Sequence, residues 1–235
     1  MDRKYIITIL IAAVFGVVGA MLLMPPTIQD ETVRLPWRVT TDHAGRTRVF
    51  GFTLGQTPLA EVRKLFGEDG AINLFQTPGA AQPLGVEVYF QQVYLQSLRA
   101  DFVITLDVDQ ATLRPMYERG LRISQLESGD KKVKLDPADV AELIERPIRA
   151  ITYLPQARLD EATIEKRFGA PKERRLDPSN GIIHWLYPER AFDIARNTKG
   201  KIVIQYVNRP DFQRLALPLG QGAAGGPPGA SPATQ

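Results

Sequence analysis

The clearest strand signal in this sequence is LRADFVITLDV, residues 98–108. Its even positions are all apolar, whereas most odd positions are polar: Arg99, Asp101, Thr105 and Asp107. Successive side chains of a strand point to opposite faces, so this alternation predicts a strand with one face on a core and the other in water. Strands of this kind are typical of antiparallel sheets.

Short helices and further strands are predicted on both sides of this strand. A helix over about residues 58–66 has Thr57 as its cap and Pro58 at its first position, where a missing N–H costs nothing. Its Phe-Gly ending recurs at Phe168-Gly169, again after a short helical pattern and before several strand patterns. The last two strands are joined by a tight hairpin at residues 196–200. The sequence therefore predicts two related units, residues 49–135 and 136–210.

The N-terminal part of the chain contains an apolar run, YIITILIAAVFGVVGAMLLM, residues 5–24. A helix of this length is long enough to cross the hydrocarbon core of a bilayer. Arg3 and Lys4 precede the run, and the first charges after it are acidic, so the positive-inside rule places residues 1–4 in the cytoplasm. No small-x-small cleavage site follows, which favours a retained anchor over a signal peptide. We expect a single-pass protein of a bacterial inner membrane with its body in the periplasm.

The remaining segments complete the predicted organisation. Residues 25–48 are rich in proline and predict a stalk, and residues 219–235 have the composition of a disordered tail. Within the anchor, small residues repeat every four positions on one helix face and predict self-association as a homodimer: Ala12, Gly16 and Ala20. The predicted fold class is α+β, with an N-terminal single transmembrane helix followed by two related helix-plus-antiparallel-sheet units.

Composition argues against several kinds of chemistry. Lys and Arg number 29 against 26 Asp and Glu, so the net charge of +3 gives no strongly basic surface and no reason to expect nucleic acid as a partner. Cysteine is absent, which excludes disulfides, thiolate metal ligands and cysteine nucleophiles. The two histidines, His43 and His184, lie far apart and outside any zinc-binding spacing. We therefore predict no catalytic residue, no metal, no cofactor and no enzymatic activity.

Aromatic residues offer the best candidates for binding. Trp185 and Tyr187 lie near several arginines in sequence, and Trp, Tyr and Arg are enriched at protein interfaces. If the two rings are exposed, they form a partner-binding surface together with Arg174, Arg175 and Arg190. A second aromatic cluster lies in the first unit, and we expect most of it to belong to the core: Tyr89, Phe90 and Tyr94.

The second unit also resembles a known family over residues 160–206. The resemblance rests on Ile164, on Phe168-Gly169-Ala170-Pro171, on His184-Trp185-Leu186-Tyr187-Pro188 and on the strand 201–206. These residues are similar to the small envelope lipoprotein domain of the outer-membrane barrel-assembly machinery, the SmpA/OmlA or BamE-like domain, which occurs in tandem in β-lactamase inhibitory proteins. This chain departs from the family by lacking the lipid-bearing cysteine. The resemblance implies a helix-plus-sheet unit that binds proteins and does not catalyse reactions.

Two functions are compatible with these observations. The first is a membrane-anchored periplasmic module that binds a protein partner in envelope assembly or maintenance. The alternative is a periplasmic small-molecule-binding sensor or hydrolase domain with a cleft between the two units. A flat, aromatic-rich sheet face would favour the first function, whereas a deep cleft with converging polar groups would favour the second.

Overall fold

The computed structural model describes residues 34–79, 81 and 83–216. In this part of the chain the strands are β1 (Thr40–Thr41), β2 (Thr47–Val49), β3 (Phe52–Thr53), β4 (Ala71–Gln76), β5 (Leu84–Leu95), β6 (Leu98–Leu106), β7 (Arg122–Gln125), β8 (Lys131–Lys134), β9 (Ile148–Pro155), β10 (Glu173–Asp177), β11 (Ile182–Tyr187), β12 (Phe192–Arg196) and β13 (Ile202–Tyr206). The helices are α1 (Leu59–Phe66), α2 (Gln110–Glu118), α3 (Pro137–Leu143), α4 (Glu161–Phe168) and α5 (Phe212–Ala216), with a 3-10 turn at Arg209–Asp211.

Ten of the strands form one sheet, in the order β10-β11-β12-β13-β9-β6-β5-β4-β8-β7. All of its neighbouring strands are antiparallel. A smaller sheet contains β1, β2 and β3 in sequence order. The helices α1 to α4 each connect two strands and contribute buried residues to the core of the larger sheet, so the described fold is mostly antiparallel sheet.

The predicted fold class, two helix-plus-sheet units behind a transmembrane helix, is therefore wrong. The predicted bounds place β6 in the first unit and β9 in the second, yet the two strands pair directly from Ala100↔Pro155 to Leu106↔Ile148. On its other edge β9 pairs with β13. Because both edges of β9 are hydrogen-bonded, it joins the two sets of strands into one continuous sheet. Local periodicity identifies strands but carries no information about which distant strand becomes a neighbour.

The core lies on one face of the large sheet and follows the alternation of β6. Ala100, Phe102 and Ile104 are buried, and the helices bury residues against the same cluster, among them Leu59 and Phe168. The ring of Phe102 lies at the centre of an aromatic group, with ring centroids 4.8 to 5.3 Å from its neighbours Phe50, Phe66 and Tyr153. The strand predicted from residues 98–108 is thus present as β6, with its even positions inward.

The described part of the predicted stalk, residues 34–48, packs on the rest of the domain. The hydroxyl of Tyr206 donates to the carbonyl oxygen of Pro36 at 2.8 Å, and the guanidinium of Arg190 donates to that of Trp37 at 2.6 Å. These bonds satisfy two backbone carbonyls that lie before β1, outside any helix or strand. They fasten the segment to β13 and to the turn before β12.

No helix in the described part of the chain is long and apolar enough to cross a membrane. The predicted anchor, residues 5–24, lies outside the described residues together with its self-association face of Ala12, Gly16 and Ala20. The predicted tail, residues 219–235, lies outside them as well.

Candidate functional site

The aromatic pair that was predicted to bind a partner belongs to the core. Trp185 and Tyr187 are 1% and 5% exposed. On β11 they share a face with Ile183, and the ring of Tyr187 stacks on that of Phe192 with centroids 4.3 Å apart. The hydroxyl of Tyr187 donates to the carbonyl of Gly169 at 2.8 Å. The condition for the predicted surface, exposure of both rings, is not met.

The three arginines of that prediction hold parts of the fold together. The guanidinium of Arg174 lies 3.8 Å from the ring centroid of Trp185 and forms ion pairs with Glu161 and Glu165 of α4. Its charge is therefore already neutralised within the chain.

Arg190 and Arg175 also have internal partners. Arg190 donates to the carbonyl oxygens of Phe168 and Trp37, at 2.6 Å each, and burial lowers its pKa. Arg175 pairs with Glu173 and donates to the carbonyl oxygen of Ala216 at 3.2 Å. Because of these contacts, the three arginines do not form the free surface that their closeness in sequence suggests.

The two histidines do not come together with carboxylates as a metal site. His43 lies in the turn between β1 and β2, whereas Nδ1 of His184 lies 2.6 Å from Oδ2 of Asp193. Burial raises the pKa of Asp193, against the lowering effect of His184. Among the residues that the structure describes, no group of three or more His, Cys, Asp or Glu side chains could hold a metal ion.

The face of the ten-stranded sheet opposite the core is called the open face here. Its side chains follow the register across the strands, and one row contains Tyr89, Val103, Thr152, Gln205, Asp193 and Leu186. Beyond β13 this face is covered. Leu186 and Asp193 are buried there, and the guanidinium of Arg175 on β10 donates to the carbonyl oxygen of Ala216 in α5.

The half of the open face on β5 and β6 carries two exposed tyrosines. Tyr89 is 39% exposed and Tyr94 is 67% exposed. They are five positions apart, an odd number, so a regular strand would point them to opposite faces. The register shifts between Phe90 and Val93, where Gln92 adopts a left-handed φ of 55°. This β-bulge adds one residue and returns Tyr94 to the face of Tyr89.

One carboxylate on β6 holds the bulge and orients the first tyrosine. Oδ1 of Asp101 accepts a hydrogen bond from the backbone N–H of Gln92 at 2.7 Å, and Oδ2 accepts one from the hydroxyl of Tyr89 at 3.0 Å. Burial and this hydrogen bond raise the pKa of Tyr89. Opposite Tyr94 in the register, the guanidinium of Arg99 lies 5.8 Å from the ring centroid of Tyr94.

These four residues, Tyr89, Tyr94, Arg99 and Asp101, form what we call the tyrosine patch. The sequence predicts that most of the cluster of Tyr89, Phe90 and Tyr94 belongs to the core. Phe90 is indeed buried, but the tyrosines are not. The available signal was Gln91-Gln92, two consecutive polar residues that interrupt the alternation of β5 and indicate a bulge.

The alternative function predicts a cleft between two units, and at the border of these units β6 and β9 are hydrogen-bonded neighbours in the sheet. One depression of about 530 Å³ lies beside the β1–β2 turn and the 3-10 turn, lined by residues that include His43 and Arg209. Another, of about 290 Å³, lies at the end of α1 beside Arg63 and Glu68. Neither depression lies between the two predicted units.

Comparisons with known proteins do not identify a family for this chain. No family model matches the sequence, and no curated protein matches it. A solved structure similar to this chain is the crystal structure of a DUF4309 family protein (YjgB) from Bacillus subtilis subsp. subtilis str. 168. It is 10% identical, the match covers 70% of this chain and 89% of that one, and the TM-score is 0.36. A likeness at this level carries no argument about function.

Proposed function

We propose that this protein is a non-enzymatic binding module that contacts a protein partner through the tyrosine patch. The observation that carries the proposal is the pair of exposed tyrosines on one open sheet face, with an arginine beside them. Tyrosine and arginine supply a large share of the binding energy at protein interfaces. A sheet face with such anchors suits a macromolecule better than a small ligand, which needs a concave site.

The tyrosine patch is preorganised in the free protein. Asp101 fixes the backbone of Gln92 and the hydroxyl of Tyr89, so the bulge and the first ring are ordered in the free protein. Ordering of side chains on binding costs about 0.5–1.5 kcal/mol for each flexible residue. Groups that are already ordered avoid part of this cost, which favours affinity at a small contact area.

The location of this activity rests on the sequence. Residues 5–24 lie outside the described residues, so attachment to a bacterial inner membrane with the folded part in the periplasm stays a prediction. A role in envelope assembly or maintenance follows from that location and from the BamE-like resemblance. The resemblance is a sequence-based prediction as well.

Site-specific photocrosslinking tests the proposal. A photoreactive amino acid replaces Tyr94 in one variant of the full chain and Leu176 in the other, and both are irradiated in cells that produce the protein. Leu176 is a matched control because it is 61% exposed on β10, at the far edge of the same sheet. We expect a defined protein adduct from position 94 that position 176 does not give.

The purified partner then provides a quantitative test. Tyr94→Ala should weaken binding by about tenfold or more, the effect of removing an interface anchor worth at least ~1.4 kcal/mol, whereas Leu176→Ala should leave it unchanged. Equal adducts at both positions, or unchanged affinity in Tyr94→Ala, would refute the role of the patch.

A further inference from the structure

The strand β7 forms one edge of the ten-stranded sheet. It is hydrogen-bonded to β8 on one side and has no strand on its other side within the described fold. Its outward backbone N–H and C=O groups therefore remain available to another chain. An edge of this kind is a template for the addition of a further strand.

The open face beside this edge carries uncompensated positive charge. Arg122 lies directly opposite Lys134 in the register, and Lys132 lies opposite Ser124 on the same face. Like charges in directly opposed positions of a sheet repel each other. No carboxylate of the described residues forms an ion pair with these three cations, which we call the β7 cations.

The opposite edge of the sheet shows that this arrangement is not a general property of the fold. On β10 the adjacent arginines are neutralised, because Arg174 pairs with Glu161 and Glu165, and Arg175 pairs with Glu173. The charge at β7 is thus left for a group from outside the described fold.

The other face of β7 presents apolar side chains to solvent. Ile123 is 51% exposed, and Leu121, just before the strand, is 56% exposed. Ile123 lies opposite Val133, which is fully buried. The apolar side chains of the core therefore adjoin the exposed apolar side chain of Ile123 at this edge. The edge therefore has a cationic side and an apolar side in the alternation of a strand.

We propose that β7 accepts an extended acidic segment of another protein as an eleventh strand of the sheet, with acidic side chains over the β7 cations and apolar ones beside Ile123. The backbone of the segment bonds to the free edge, and the alternation selects its sequence. The site is separate from the tyrosine patch, because β8 and β4 lie between β7 and β5, about 14 Å across the sheet. Its test does not depend on the proposed function.

Charge decides between this partner and a second copy of the chain. In a twofold pairing of β7 with β7, the open faces of both copies would point the same way. The β7 cations of the two copies would then lie side by side and repel. Positive charge alone also protects sheet edges from aggregation. Exposed apolar side chains such as Leu121 and Ile123 work against that protection, so a purely protective role does not account for them.

Peptide binding with hydrogen exchange tests the proposal. The full chain, purified in a neutral detergent, is titrated with a fluorescent peptide in which glutamate and valine alternate. A peptide of the same composition with its glutamates grouped at one end is the first control, and one with lysine in place of glutamate is the second. Amide exchange of residues 122–125 is measured with and without the alternating peptide, since strand addition protects the outward amides.

Variants test which residues bind the peptide. Arg122→Glu with Lys134→Glu should weaken binding of the alternating peptide by about tenfold or more, because two attractions become repulsions. Lys199→Glu with Lys201→Glu is a matched control that changes the net charge equally at the exposed β12–β13 turn and should leave binding unchanged. Circular dichroism of each variant checks that the fold is retained.

Each outcome has a definite meaning. Selective binding of the alternating peptide, with protection of residues 122–125, would support the proposal. Equal binding of the alternating and grouped peptides, or binding without protection, would overturn strand addition. Failure of the peptide to bind, together with binding to phosphatidylcholine vesicles only when phosphatidylglycerol is present, would assign the β7 cations to a membrane surface instead.

Discussion

Replacement of Asp101 by alanine tests whether one carboxylate organises the tyrosine patch. The change removes the acceptor for the N–H of Gln92 at 2.7 Å and the acceptor for the hydroxyl of Tyr89 at 3.0 Å. The N–H lies in the β-bulge that places Tyr94 on the open face. We therefore expect a loss of stability and a disordered patch from a single substitution outside the core.

The size of the loss follows from the two bonds. A buried hydrogen bond to a charged group contributes about 1.5–3 kcal/mol to the free energy of unfolding. Asp101 is partly exposed, so in the variant water can take the place of the lost acceptor. Each hydrogen bond should therefore contribute about 1 kcal/mol to the free energy of unfolding. The free energy of unfolding should fall by about 2 kcal/mol in Asp101→Ala. In Asp101→Asn one side-chain oxygen remains, and the loss should be about half as large.

Denaturant unfolding measures this loss, and a spectrophotometric titration of tyrosine reports on the patch itself. The pKa of Tyr89 is raised by burial and by Asp101, so it should fall in Asp101→Ala and stay somewhat above the ordinary value because burial remains. Asp107→Ala is a matched control. Asp107 is an exposed carboxylate just past the same strand, with no side-chain hydrogen bond to the described residues.

An Asp101→Ala variant that is as stable as Asp107→Ala, or whose tyrosine titration equals that of the wild type, would contradict this role of Asp101. Either result would mean that the bulge is held by strand pairing alone. The affinity of the tyrosine patch for its partner would then not depend on Asp101.

Three further substitutions test other parts of the structure. Trp185→Ala empties a buried site and should lower the free energy of unfolding by about 3–5 kcal/mol in a denaturant titration, a result that a surface tryptophan would not give. Burial, with a smaller effect of Asp130, raises the pKa of Glu87 to about 7. Because the pKa of this carboxyl is higher in the folded state than in the unfolded state, its protonation stabilises the fold. The stabilisation is complete below the unfolded pKa and is lost as pH rises through about 7. Stability should thus fall between about pH 5 and 8 by at most about 3 kcal/mol, and Glu87→Gln should flatten that slope; an unchanged slope would contradict the shift. Arg122→Glu replaces the like-charge pair with Lys134 by an attractive pair and should raise thermal stability by about 0.5 kcal/mol, an effect that added salt should reduce.

Local patterns predicted the individual elements well where they had a strong period or a specific turn. The even positions of β6 face the core as expected. The hairpin at residues 196–200 joins β12 and β13, with Gly200 at a left-handed φ of 77°. The start of α1 differs in detail, because Pro58 occupies the cap position and the hydroxyl of Thr57 accepts from the N–H of Thr53. These features depend on neighbours within a few residues, which the sequence contains directly.

The candidate sites depended on distant neighbours. Trp185 and Tyr187 are residue types typical of an interface, but the register of β11 against β12 turns both inward, and Arg174 lies over the ring of Trp185. Tyr94 reaches the open face because a bulge shifts its register by one residue. In a sheet, a shift of one residue exchanges the two faces.

The sequence by itself thus set the antiparallel strands, the short helices, the turns and the absence of cysteine chemistry, because each of these follows from residue type and local spacing. Only the tertiary structure decided that β9 joins the strands into one sheet, which aromatic residues meet solvent, and that the β7 cations have no ion-pair partner among the described residues. Those outcomes depend on pairing between residues far apart in the chain, and the pairing is chosen by the packing of the whole sheet.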